Sequence, residues 1–177
     1  MSVRRDLFGG AVVADTPNNL IDASDLRQVP DTQEVFVYPN SSVSIIFEIL
    51  QRVQVSQSDD AIRFHFNSLA HDNSASSAKV ESVSVIPNDR GDDTPLAIVL
   101  RGEQSVQKFN YSTPDTVMIL MALFRIESKS VDLVATCNVP LQAVDGGAVS
   151  NRELENVQRD FDTVVRTLRV VDFGLFA

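Results

Sequence analysis

Four carboxylates, Asp22, Asp25, Asp31 and Glu34, lie close together just ahead of the run Val35-Phe36-Val37. Acids this dense can exchange protons, cap local turns, or meet a positively charged surface. Proton exchange needs two groups whose environments push their pKa values apart. Asp31 and Glu34 stand three apart with no nearby His, Lys or aromatic pocket to do so, and an enzyme has little else to stand on. Local structure accounts for part of the set. Asp22 and Asp25 can cap a short turn, Arg27 can pair with one acid, and Asp31 can start an Asx-turn after Pro30. Glu34 and at least one aspartate remain over, which tips the balance towards a binding patch for a basic partner.

Other chemistry finds less support. Gly9-Gly10 and Gly146-Gly147 lack the spacing and the Lys of a phosphate-binding loop, and no Gly-x-Ser-x-Gly nucleophile elbow is present. His65 and His71 are six apart, on different faces of any helix, so a joint metal site is not expected. His65 falls on an apolar face and reads as a hydrogen-bonded core histidine. Cys137 reads as inert filler in a buried strand. No cofactor is implied.

The chain has 177 residues, 44% of them apolar, enough for one domain with a proper core. Its net charge of −9 and pI of about 4.6 argue against nucleic acid or an anionic membrane as partner. A single cysteine permits no internal disulfide and fits a reducing compartment. The first residues lack an apolar signal core. The Asn40-Ser-Ser and Asn110-Tyr-Ser triplets therefore carry no weight, and the longest apolar run, Val117 to Phe124, is too short to span a bilayer. A soluble intracellular protein is expected, and no heptad run suggests more than a monomer.

Elements that could position the acids follow from periodicity. Gly10 to Ala14 predicts a short first strand, broken by Pro17-Asn-Asn. Ser24 is expected to cap one helical turn through Arg27. Glu34 to Tyr38 and Val43 to Val53 read as strands. Ser58-Asp-Asp opens a helix with Ile62, His65, Phe66 and Leu69 facing inward. Residues 71–79 are expected to form a polar loop, Lys79 to Ile86 a strand, and Leu96 to Leu100 another, with the pattern allowing extension to Phe109. Val117 to Phe124 and Val131 to Cys137 are apolar on both faces, as in parallel sheets. Only Glu127-Ser-Lys-Ser separates them, too little for a crossover, so they must form an antiparallel hairpin covered on both faces by helices. Ser150-Asn-Arg-Glu153 is a capping box, and Leu154, Val157, Phe161, Val164, Val165 and Leu168 form one stripe. The tail, Val170 to Phe176, should dock. The expected class is α+β, an α/β/α sandwich around a mostly antiparallel sheet of six or seven strands.

The stretch Ile21 to Val37, reading Ile-Asp-Ala-Ser-Asp-Leu-Arg-Gln-Val-Pro-Asp-Thr-Gln-Glu-Val-Phe-Val, resembles the signature of the Ran guanine nucleotide release factors. Shorter matches run in order along the chain: Leu7-Phe-Gly-Gly-Ala11, Ser44 to Leu50, Phe64-His-Phe66, Asn138-Val-Pro-Leu141 and Val170 to Phe176. The resemblance implies a PsbP-like sandwich, binding of the small GTPase Ran, alone or with a Ran-binding protein, and release of its guanine nucleotide in support of nuclear import. It places the Ran-binding acids at Asp22, Asp31 and Glu34, leaves Asp25 to local capping, and implies residence in nucleus and cytoplasm. Two rivals stay open. One is a docking adaptor in protein trafficking; the other is a small enzyme of the same architecture using His65 with Asp31.

Overall fold

Two strands of twelve residues each, β8 (Asp115–Ile126) and β9 (Val131–Gln142), form the antiparallel hairpin at the centre of the molecule. Side chains alternate across a strand, and β8 is apolar on both faces. Met118, Leu120, Ala122 and Phe124 enter one core, and Ile119, Met121 and Leu123 enter the other. The computed structural model that shows this describes residues 1–107 and 111–177. The proposed extension of a strand to Phe109 and the Asn110 of one triplet lie outside the described residues.

The remaining large-sheet strands are β3 (Ile21–Asp22), β4 (Gln33–Val37), β5 (Ser44–Gln51), β6 (Ala75–Ile86) and β7 (Ala97–Val106). They extend the hairpin into seven strands in the order β3-β4-β5-β9-β8-β7-β6, with every neighbouring pair antiparallel. Helix α1 (Ser58–Asp72) covers one face with Ile62, Phe66 and the partly buried Leu69, as the spacing predicts. It packs closely on β7 because Gly102 has no side chain. A Cβ there would meet the Lys79 carbonyl at 2.6 Å and the Phe66 ring at 2.9 Å.

Helix α2 (Asn151–Thr167) covers the other face. Its capping box forms as expected, the Glu153 amide donating to Ser150 Oγ and the Ser150 amide to the Glu153 carboxylate. Val157, Phe161, Val164 and Val165 are buried, each contributing about 1.5–3 kcal/mol by leaving water. Arg152, Glu155, Arg159, Asp162 and Arg166 are exposed. Tyr38 donates to Asp160 at 2.8 Å, which fixes α2 against the end of β4.

Several local expectations are corrected. The chain begins with strand β1 (Ser2–Leu7), antiparallel to β2 (Val12–Pro17), so Gly10 lies in the turn between them and the strand expected to end at Ala14 runs on to the predicted break at Pro17. Only Leu7 of β1 is buried, which left no apolar period to read. A two-residue strand of the tail, β10 (Arg169–Val170), completes a second, three-stranded sheet, β1-β2-β10, beside α2. Residues 71–79 are not a loop. Helix α1 runs to Asp72, Ser74 takes a left-handed φ of 53°, and β6 starts at Ala75. As an edge strand exposed along most of its length, β6 has no need of apolar alternation. Val43 to Val53 is a strand only over β5.

A groove lined by three carboxylates

The acidic segment folds around one short 3₁₀ turn, Ala23–Asp25. Asp22, not Ser24, is its cap. Asp22 Oδ1 accepts from the Ser24 amide at 2.9 Å and from Ser24 Oγ at 2.7 Å. Asp25 is exposed, with no hydrogen bond or ion pair to any described residue, so the expected assignment of capping to Asp25 is reversed. The Asx-turn at Asp31 is absent too; the Gln33 amide donates to the Pro30 carbonyl instead.

Glu34 also has a structural task that the sequence left blank. It shares a strand face with Phe36, which is buried in the α2-side core. Its Oε1 there accepts from the Phe8 amide at 2.8 Å. The partner lies 26 residues upstream and is a backbone group, so no side-chain pattern announces it.

Asp22, Asp31 and Glu34 nevertheless converge. All three line one open groove of about 360 Å³, and Asp25 does not. Ser24, Pro30 and Gln33 supply further polar rim and backbone, while Phe8, Val29, Val35 and Leu175 supply apolar wall. Among the described residues no Lys or Arg lines it. Asp31 is exposed and unpaired among the described residues, and Asp22 and Glu34 each keep a second oxygen without a hydrogen bond. A carboxylate can accept several hydrogen bonds, so the groove offers three negative groups with spare capacity on a half-apolar floor. Among the described residues no cluster of His, Cys, Asp and Glu is placed to hold a metal ion. Phe8 and Leu175 are the groove residues that sequence reasoning missed as such, although both lie in short stretches it had picked out.

His65 is elsewhere, on the inward face of α1. It is 6% exposed, and its Nε2 lies 2.8 Å from Asp132 Oδ2. Arg125 Nε donates to the other oxygen of Asp132 at 3.1 Å, and its two terminal nitrogens donate to the Val55 and Val53 carbonyls, each at 2.6 Å. Burial by itself would raise the Asp132 pKa. Hydrogen bonds from His65, the Val53 amide and Arg125 outweigh it and hold the carboxyl below the usual range. His65 is the bonded core histidine that its position predicts, and it does not line the groove that holds Asp31. Burial, followed by the nearby Asp160 charge, pushes the Cys137 thiol up, so it stays protonated and unreactive at neutral pH.

Comparison with known proteins gives these features a context. The family model described as Ran-interacting Mog1 protein matches residues 5–140. The Ran guanine nucleotide release factor of Danio rerio is 36% identical over 97% of this chain and 98% of its own length. The nuclear import protein MOG1 of Saccharomyces cerevisiae is 32% identical over 97% of this chain and 84% of its own length. The crystal structure of the Saccharomyces cerevisiae Ran-binding protein Mog1p superposes with a TM-score of 0.77 at 28% identity, covering 100% of this chain and 99% of that one. With these matches covering most of its length, the chain belongs to the Ran-interacting Mog1 protein family.

Proposed function

We propose that this chain acts as a single Ran-binding domain that promotes release of guanine nucleotide from Ran, and that Asp22, Asp31 and Glu34 form its contact surface. The observation that carries the reading is their convergence on one groove that contains no basic residue among those described. Names of relatives point the same way: a release factor and a nuclear import protein. The role is that of a regulator without covalent chemistry, working as a monomer in nucleus and cytoplasm.

The mechanism follows from linkage. A GTPase holds its nucleotide through a phosphate-binding Lys, backbone amides and Mg²⁺. A protein that binds the nucleotide-free form more tightly weakens nucleotide binding by the same factor. Carboxylates engaging basic groups that otherwise organise the nucleotide site would supply that preference. Asp31 is the cleanest probe, because it is exposed and holds no other part of the fold. Asp31→Lys should slow stimulated nucleotide release from Ran by about tenfold or more, since a like charge at a complementary interface is strongly unfavourable. Thermal stability should not change. Release at the wild-type rate from a folded Asp31→Lys protein would remove the groove from the mechanism.

A further inference from the structure

The stretch Phe64-His-Phe66 plays no part in the acidic groove, and its three side chains go different ways. Phe66 is buried against Gly102. His65 turns to the buried Asp132. Phe64 faces outward and is 54% exposed, a large apolar ring left in water. It forms one side of a second open groove, of about 470 Å³. The other side is the connector after β5, where Val53 and Val55 are half-buried. Arg52 is the one charged residue among the described residues of the lining. That connector belongs to no helix or strand, yet it is pinned. Asp132 accepts from the Val53 amide at 3.2 Å, and Arg125 donates to the Val53 and Val55 carbonyls. Because His65 bonds Asp132 from α1, the same buried network fixes this wall to the helix that carries Phe64. The cleft is therefore preformed, as binding sites usually are.

Its polar groups are short of acceptors. Arg52 Nε is buried without a partner, which is uncommon in native folds. The guanidinium's one ion pair is to Glu127 at 3.4 Å, a side chain 76% exposed, and such a pair contributes little. The amides of Gln54 and Val55 have no acceptor among the described residues. Main-chain donors along a groove suit a polypeptide, whose carbonyls can accept from them. We propose that this groove docks an extended segment of a partner protein. An apolar side chain of the segment lies against Phe64, Val53 and Val55, and the carboxylate of a neighbouring Asp or Glu meets Arg52. One cation is too few for nucleic acid, which is held through several phosphate contacts. The site is opposite in sign to the acidic groove and does not depend on Ran binding there.

Amide NMR titration of the full chain tests this with three end-blocked tetrapeptides. Gly-Leu-Asp-Gly carries both features, Gly-Leu-Asn-Gly lacks the charge, and Gly-Ser-Asp-Gly lacks the apolar group. The first should shift the amides of residues 51–55 and 64 saturably, with a dissociation constant on the order of 1 mM for so small a ligand. Each of the others should bind about fivefold more weakly or worse, having lost a charge-assisted hydrogen bond or a buried leucine side chain. Arg52→Met should make the Asp and Asn peptides equal, and Phe64→Ala should weaken both Leu peptides. If Phe64→Ala does not fold, the Ser peptide makes the same test on the unchanged protein. Equal binding of the Asp and Asn peptides to the wild-type chain, or a preference that survives Arg52→Met, overturns the role of Arg52. Equal binding of the Leu and Ser peptides overturns the apolar wall. Absence of any saturable shift at 51–55 and 64 overturns the site, and leaves the acidic-groove reading untouched.

Discussion

Asp132 has no accessible surface, and both its oxygens are bonded, to His65 and the Val53 amide on one side and Arg125 on the other. Removing one partner of a buried ion pair strands the other charge, at a cost of about 3–5 kcal/mol. Asp132→Asn should therefore lower the unfolding free energy measured by urea denaturation by that much. A change under 1 kcal/mol would mean that the Val53 and Val55 carbonyls satisfy Arg125 unaided. The same residues show what a sequence reveals at this scale. The apolar spacing of Ile62, Phe66 and Leu69 marked His65 as inward-facing, hence as needing a partner. Asp132, 67 positions away, could not be named, because nothing local ties the two. The acids of the groove divide in the same way. Their density was plain, but which oxygen is committed depends on an amide from a distant turn for Glu34. For Asp22 it depends on the two-residue Asx pattern reaching Ser24, one of the caps the sequence offered for that turn without choosing among them.

Among the elements, those that make their own signal were legible and those defined by a neighbour were not. Helix α2 declares its start through Ser150 and Glu153 and its inner face through a 3.6-residue stripe. Strands β8 and β9 declare themselves by length and apolarity, and the four residues between them dictate a hairpin. Strand β1 and the opening of β6, residues 75–78, carry little apolar pattern, because each strand is an edge with a single partner, and pairing alone makes them strands; the rest of β6 matches the strand predicted from Lys79. The end of α2 likewise depends on a distant loop. Arg90 donates to the Arg166 and Leu168 carbonyls at 2.6 and 2.7 Å and is braced by Asp92 at 3.0 Å. Helix ends leave their last carbonyls without helical partners, and this guanidinium supplies two. Arg90→Ala should cost about 1–2 kcal/mol and speed amide hydrogen exchange at residues 165–170, while α1 exchanges as before. Unaltered exchange there would show that α2 ends without help from the 87–95 loop.

At the scale of the whole molecule, shifted groups bracket the pH range in which it is stable. Asp132 and Asp92 are held below the ordinary carboxyl range. Burial opposes this in both, and for Asp92 hydrogen bonds from Arg90, Thr94 and Asn88 outweigh it. A carboxyl depressed in the folded state stabilises above its unfolded pKa of about 3.9 and loses that contribution as pH falls through the folded value. Tyr38 and Cys137 are shifted the other way. Burial raises both, with donation to Asp160 adding for Tyr38 and the Asp160 charge for Cys137. A raised group contributes fully below its unfolded pKa, about 8.5 for Cys and about 10 for Tyr, and less as pH rises towards the folded value. These four groups therefore leave stability level from about pH 5 to 8, with an acid decline below about 4 and an alkaline decline that starts near 8.5. General repulsion from the net charge of −9 would also grow with pH, but salt screens it. Urea midpoints taken against pH in roughly 0.5 M salt, where the Debye length is only a few ångströms, isolate the buried groups. Cys137→Ala should then move the start of the alkaline decline from about 8.5 to about 10, where Tyr38 alone governs it. A start that stays near 8.5 in that variant would place the alkaline sensitivity outside the cluster of Cys137, Tyr38 and Asp160.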